Sequence, residues 1–399
     1  MAFEWLRRPM SSLGTIWDAE PHTLAKHQIL VEYLKAWVPI LSRQSAKFPG
    51  STVIRFVDGF AGPGVYKDGQ PGSPILAIES VIKHSQDIPI PVEFFFIEID
   101  TQRFASLSNE IEARHDRILS AQSVKKVNKR CGDCKELLPD IVASNGKEGF
   151  GPAIFFLDQF GYGEVTIEMV QSLLAMPMCE VFSYLNWDHL NRFITDNNKA
   201  SALTAAVGSD SWRQCIDLPK EKREKYFLDL YKDALRTKAG AKYVLHFAMH
   251  NKEEKLLNWL FFCTNNIHGV KEMKRAMHKV DASGSFRFSD RFGGDQLILL
   301  SKLDDKWLAS VLMNELNERT MTIREIEEFV LVHTPCYKYR KTLATLEKAN
   351  RIHVLSPPQN RRSGTYKDET MRIAFFPDSS KPSRIARTRQ PDRSLFELD

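Results

Sequence analysis

Apolar residues recur along the chain with two periods, and the alternation between them predicts the architecture. Over residues 22–43, Leu24, Ile29, Leu30, Tyr33, Leu34 and Trp37 share one helical face, so an amphipathic helix opens an N-terminal helical segment, residues 1–50. Residues 52–58 form a short β-branched run that breaks into a Gly- and Pro-rich stretch, residues 59–72. Helical spacing resumes at Ile75 and Ile78, with Ser73 suited to the N-cap and Pro74 to the first helical position. Residues 92–97 (VEFFFI) are a strand apolar on both faces, and Asp100 can cap the helix that runs from there to about residue 115. A weaker strand, residues 124–131, leads through Asp133 into a helix over 135–142. Residues 153–157 (AIFFL) end at Asp158-Gln159-Phe160-Gly161 and precede a helix near 165–174, and residues 180–185 end at Asn186. Five such strands alternating with helices predict a parallel sheet covered on both sides, a doubly wound Rossmann-like α/β domain over residues 51–300.

Residues 191–240 read as a more polar helical insertion or cap. Two strands, 242–249 and 256–264, joined by a charged turn, predict an antiparallel pair that finishes the sheet, followed by a closing helix over 269–280. A glycine-containing loop, 281–294, and a short apolar run, 296–300, end this domain. Beyond it the elements become small: a helix over 307–316, a second opened by the capping box Thr322 to Glu325, and a third introduced by Pro335 that carries Tyr337, Lys338, Arg340, Lys341, Leu343 and Leu346. Strands at 352–355 and 371–376 around a turn at 357–367 complete a winged helix-turn-helix, residues 305–376, and residues 377–399 read as a flexible basic tail.

Composition narrows the class of protein. Of 399 residues, 43% are hydrophobic and 26% charged, which excludes fibrous and wholly disordered chains. No apolar run approaches the roughly 18 residues of a membrane span, and neither a membrane partner nor a signal peptide is expected. The six cysteines are scattered, which predicts reduced thiols and a cytoplasmic setting. Cys131 and Cys134 form a CxxC without companions at metal-ligand spacing, so no metal is expected. Net charge is +5, but the region from Cys336 onward holds 14 Lys and Arg against 7 Asp and Glu, a positive field suited to a polyanion or to an ordinary solvated surface.

In an open parallel sheet a ligand sits outside the carboxyl ends of the strands. After the first strand comes Asp58-Gly59-Phe60-Ala61-Gly62-Pro63-Gly64, whose small residues admit close backbone approach. Glu98 ends the second strand, placed to accept hydrogen bonds from a ribose diol, and Asp133 follows the third, where a carboxylate can receive the exocyclic amine of adenine. Asp158 follows the fourth and faces the reacting group.

Together these residues resemble, in order, the motif series of Rossmann-like S-adenosylmethionine-dependent methyltransferases. More narrowly, VDGFAGPGVYKDGQPGSPILAIE, FLDQFG and GVKEMKRAMHKVD resemble the three-Cys-motif partner proteins, over about residues 20–300. The resemblance implies S-adenosylmethionine as cofactor, with Asp58, Gly62 and Gly64 on its methionine end, Glu98 on the ribose, Asp133 on the adenine, and Phe60 and Ala61 walling the pocket. It also implies an acceptor site from Asp158 to Gly161, with Asp158 and Phe160 as catalytic residues, and a radical S-adenosylmethionine protein with a three-cysteine motif as partner. Amino-methyltransferases carry Asp/Asn-Pro-Pro-aromatic where this chain has Asp-Gln-Phe-Gly, which leaves the acceptor open. The expected substrate is DNA or RNA, with Lys338, Arg340, Lys341, Arg361 and Arg362 on its phosphates. The alternative is a non-catalytic nucleic-acid-binding partner that keeps the methyltransferase fold.

Overall fold

The computed structural model describes residues 18–47, 52–146, 149–289, 305–355 and 360–376. The expected tail at 377–399, the apolar run at 296–300 and part of the turn at 357–367 lie outside the described residues. Residues 18–281 with 286–289 belong to one compact unit, and residues 282–285 with 305–376 to a second. No helix among the described residues is long and apolar enough to cross a membrane.

The larger unit is built on an eight-stranded sheet. Its strands are β1 (Ile54–Asp58), β2 (Val92–Glu98), β3 (Val124–Cys131), β4 (Ala153–Leu157), β5 (Cys179–Leu185), β6 (Tyr243–His250), β7 (Leu256–Thr264) and β8 (Arg287–Ser289), in spatial order β3-β2-β1-β4-β5-β7-β6-β8. The first five are parallel, β7 runs antiparallel to β5 and to β6, and β8 returns parallel to β6. The expected antiparallel pair is therefore present. β8 was not expected, because it lies in the stretch that reads as loop and three residues leave no period to detect.

Two helical layers cover the sheet. On one face α1 (Pro21–Ser45), α2 (Ser73–Ile82), α3 (Thr101–Glu112), α4 (His115–Ser120) and α10 (Ile267–Val280) bury Ile29, Leu30, Tyr33, Trp37, Ile78, Leu107 and Met273 against Phe56, Phe94, Phe96 and Phe262. On the other lie α5 (Cys134–Ser144), α6 (Ile167–Leu174), α7 (Trp187–Phe193), α8 (Ala200–Val207) and α9 (Lys220–Thr237). β1 and β4 are buried along their whole length, as strands covered on both faces must be. The segment expected as a polar insertion instead supplies core: Trp212, Phe227, Tyr231 and Leu235 are buried with the residues of β4 and β5. Polar positions on the outer face of α9 masked that contribution in the sequence.

The smaller unit packs α11 (Asp305–Glu315), α12 (Ile323–His333) and α13 (Arg340–Lys348) with a three-stranded antiparallel sheet, β9 (Thr320–Thr322), β10 (Ile352–Leu355) and β11 (Arg372–Phe375), in order β10-β11-β9. Thr322 and Glu325 form the expected capping box. The third strand, β9, is an addition to the two expected, and α13 begins later than expected. Tyr339, at φ −142° and ψ −21°, is off the helical conformation, so the helix opens at Arg340 and Lys338 lies in the connector before it.

Candidate functional site

Strand order reverses between β1 and β4, and the segments that follow them pack on opposite faces, α2 with one layer and α6 with the other. A crevice opens at such a point outside the carboxyl ends of the strands. Asp58 is the last residue of β1 and Asp158 the first after β4, while Glu98 ends β2 and Asp133 follows β3. The four acidic residues singled out in the sequence thus stand at the carboxyl ends of four adjacent parallel strands.

Two of them brace the glycine-rich loop. Asp58 is wholly buried: one carboxylate oxygen accepts the Phe60 N–H at 3.1 Å and the other the Ser73 hydroxyl at 2.7 Å. Ser73 was expected to cap α2, but Gly72 occupies that position and Ser73 is the first helical residue, its hydroxyl committed to Asp58. Burial, reinforced by the nearby Asp158, pushes the Asp58 carboxyl up to about 7 against the pull of Ser73, Phe60 and Lys26. Glu98 is also buried and accepts the Gly62 N–H at 2.8 Å and the Asp100 N–H at 2.9 Å, with Arg103 3.9 Å away. A carboxylate offers about four acceptor positions, so Glu98 retains capacity for a hydroxyl donor. Gly62 has φ +66° with open space where a Cβ would stand, and at Gly59 a Cβ would meet Cys134 Sγ at 2.7 Å. One glycine serves the turn and the other serves packing. Ala61 is buried, Phe60 packs partly on the core, and Gly64, at φ +84°, accepts the Gly72 N–H at 2.8 Å to close the loop.

Asp133 is half-buried and caps α5 through the Lys135 N–H at 2.8 Å, while Asp100 caps α3. At the end of β4, Gln159 is almost fully buried: its amide nitrogen donates to the Tyr184 carbonyl, and its oxygen accepts the Glu164 and Val165 N–H groups. Gln159 therefore shapes the 159–165 turn. Phe160 is 37% exposed, with the Arg103 guanidinium 5.4 Å from its ring centroid. Tyr162, just beyond, is buried with its ring 5.5 Å from that of His189.

A residue outside all the expected motifs completes the cluster. Lys26 of α1 is 7% exposed, its ammonium is ion-paired with Asp158, and it lies 5.0 Å from the centroid of the Tyr184 ring. The neighbouring His27 is buried with Nδ1 lacking a partner, its ring 5.8 Å from that of Tyr66 in the glycine-rich loop. Burial, with Lys26 beside it, lowers His27 to about 3, so it is neutral. The signal was legible: Lys26, Ile29, Leu30, Tyr33, Leu34 and Trp37 share helical spacing, and a lysine in that stripe had no business there as solvated charge.

In the smaller unit, Lys338, Arg340, Lys341 and Arg362 are exposed. Arg340 stands 5.9 Å from the Tyr339 ring, Lys338 5.2 Å from that of Tyr337, and Lys341 pairs with Asp305. Arg361 differs: its guanidinium donates two bonds to Glu347, at 2.8 and 2.7 Å, and a third to the Thr365 carbonyl, so it holds its own loop. Among the described residues no His, Cys, Asp and Glu side chains converge as a metal-ligand set; Cys131 is exposed and Cys134 buried. No family model matches the chain, and no curated protein matches it.

Proposed function

We propose that the larger unit binds S-adenosylmethionine and transfers its methyl group to DNA or RNA, and that the chain is a cytoplasmic relative of the three-Cys-motif partner proteins working beside a radical S-adenosylmethionine protein. The observation that carries this reading is the placement of Asp58, Glu98, Asp133 and Asp158 at the carboxyl ends of β1 to β4, around the point where strand order reverses. Glu98 and Asp133 would receive the ribose and the adenine, and Asp58 with the glycine loop the methionine end. Methyl transfer then needs chiefly alignment of the sulfonium with the acceptor: the methyl leaves sulfur with its bonding pair left behind, and the acceptor's proton passes to Asp158 or water. Exposed Phe160 would stack on the acceptor base. The smaller unit, read as a winged helix, would hold the nucleic acid through Lys338, Arg340, Lys341 and Arg362.

Calorimetric titration with S-adenosylmethionine and S-adenosylhomocysteine tests the site, with Glu98→Gln and Asp133→Ala expected to weaken both ligands. Transfer of a labelled methyl group to bulk DNA or RNA tests the activity, and Asp158→Asn should abolish transfer while keeping cofactor binding. A second reading, a non-catalytic specificity partner, is favoured by Lys26 occupying Asp158 and by Gln159 being committed to its own turn. Labelled transfer would remove it.

A further inference from the structure

We propose that Lys26 is the recognition residue for the carboxylate of the donor's amino-acid end, and that its ion pair with Asp158 is the contact this end displaces; the proposal rests on the donor reading above. Lysine is almost never buried unless paired, and an ion pair withdrawn from water contributes little net stability, so its place in the apolar face of α1 asks for another role. Its ammonium reaches from the α1 layer to the end of β4, beside Tyr184 of β5, and acts on Asp58 at the end of β1.

Two carboxylates, Asp58 and Asp158, share the Lys26 ammonium, and two more, Glu20 and Asp188, act on the neighbouring Tyr184. With both Asp58 and Asp158 ionised, one ammonium faces two carboxylates. S-adenosylmethionine brings a sulfonium, an ammonium and a carboxylate, one net positive charge delivered to a point where carboxylates gather. Its ammonium has Asp58 to meet and its carboxylate has Lys26. An ammonium carries three donors on a flexible stem, so Lys26 can turn from Asp158 to a ligand carboxylate while its methylenes stay packed. The unpartnered Nδ1 of neutral His27, next in the helix, is a second polar group waiting beside the loop. Asp158 is then released only after the donor has bound, which orders the site: donor first, acceptor second.

The experiment compares two probes that share the nucleoside and thioether: S-adenosylhomocysteine, which has the amino-acid end, and 5′-deoxy-5′-methylthioadenosine, which lacks it. Full-length wild type, Lys26→Met, Lys26→Arg and Asp158→Asn are titrated calorimetrically, with thermal melts to verify folding. Lys26→Met should weaken S-adenosylhomocysteine by about tenfold or more and leave methylthioadenosine within about twofold. Lys26→Arg should recover part of the loss, and Asp158→Asn, which removes the competitor for the ammonium, should tighten S-adenosylhomocysteine. Equal losses for both probes, no loss, or S-adenosylhomocysteine binding by Asp158→Asn that is unchanged or weaker would overturn the proposal. Should Lys26→Met not fold, the direction of the Asp158→Asn change decides. Wild type that binds neither probe removes the donor reading and this proposal with it, an outcome distinct from normal binding that is indifferent to Lys26.

Discussion

Asp58 in the larger unit and Glu347 in the smaller each brace a loop with a carboxylate, and they do so with opposite electrostatics. Glu347 receives the Arg361 guanidinium, the Tyr366 hydroxyl at 2.7 Å and the Gly364 N–H at 2.8 Å, and Arg361 foremost lowers its carboxyl to about 2. Asp58 receives one hydroxyl and one N–H, and burial, with a second carboxylate nearby, raises it to about 7. One brace is electrically complete and serves the fold. The other is buried beside a second carboxylate at the carboxyl ends of the strands, and perturbed groups of that kind concentrate at functional sites.

The largest consequence is in the pH dependence of stability. Asp58 holds its proton more tightly in the folded chain than in the unfolded one, so between about pH 4 and about pH 7 the native state binds more protons and stability falls as pH rises. At roughly 1.4 kcal/mol per pH unit the ceiling is about 4 kcal/mol. Asp58→Asn should flatten that slope in denaturation followed from pH 4.5 to 8, and an unchanged slope would break the contrast. The groups acting on Asp58 are Asp158, Lys26, Ser73 and the Phe60 N–H, so Lys26→Met should carry the slope to higher pH, whereas Asp58→Asn flattens it.

Glu347 carries the opposite sign. Its stabilisation is present above about pH 4.5 and is lost as pH falls toward 2. Glu347→Ala leaves the Arg361 guanidinium and the Tyr366 hydroxyl without their acceptor, and should cost the smaller unit about 2 kcal/mol after allowance for solvent screening. Hydrogen exchange at the amides of α13 reads this unit separately, and protection unchanged by the substitution would show the network to be ornamental.

The placement of the strand-end acids was legible in the sequence, whereas their charge states were not. Strands such as VEFFFI and AIFFL announce a buried parallel sheet, because only burial on both faces tolerates such runs, and topology then brings their carboxyl ends together. Asp58, Glu98, Asp133 and Asp158 were located by that logic alone. What stayed hidden depends on long-range partners. Lys26 and Asp158 are 132 residues apart, and Arg361 and Glu347 are 14 apart with no helical spacing to link them. Strand ends specify where a site lies, whereas the charge state of its members is set by what folds over them.

Gly62 gives a smaller effect. Its φ of +66° disfavours any residue with a Cβ, although nothing stands within 4 Å of where that atom would be. Gly62→Ala should therefore cost about 1 kcal/mol through backbone strain alone. If melts show the loss while ligand affinity is kept, the loop's role is conformational; a lost affinity with a normal melt would place the added methyl against the ligand.

The smallest expected effect separates adjacent arginines. Arg361 is spent on Glu347, whereas Arg362 is exposed and free to meet a phosphate if the smaller unit binds nucleic acid. Each phosphate contact contributes close to one unit to the dependence of log affinity on log salt. Arg362→Gln should lower that slope by about one and weaken all sequences alike, with the melt unchanged. Arg361→Gln should do the reverse, lowering the stability of the smaller unit while the slope of its folded fraction stays the same. A slope that responds to Arg361 and not to Arg362 would mean that the Glu347 brace opens on binding, and the distinction between a complete brace and an incomplete one would then fail in the unit where it looks most secure.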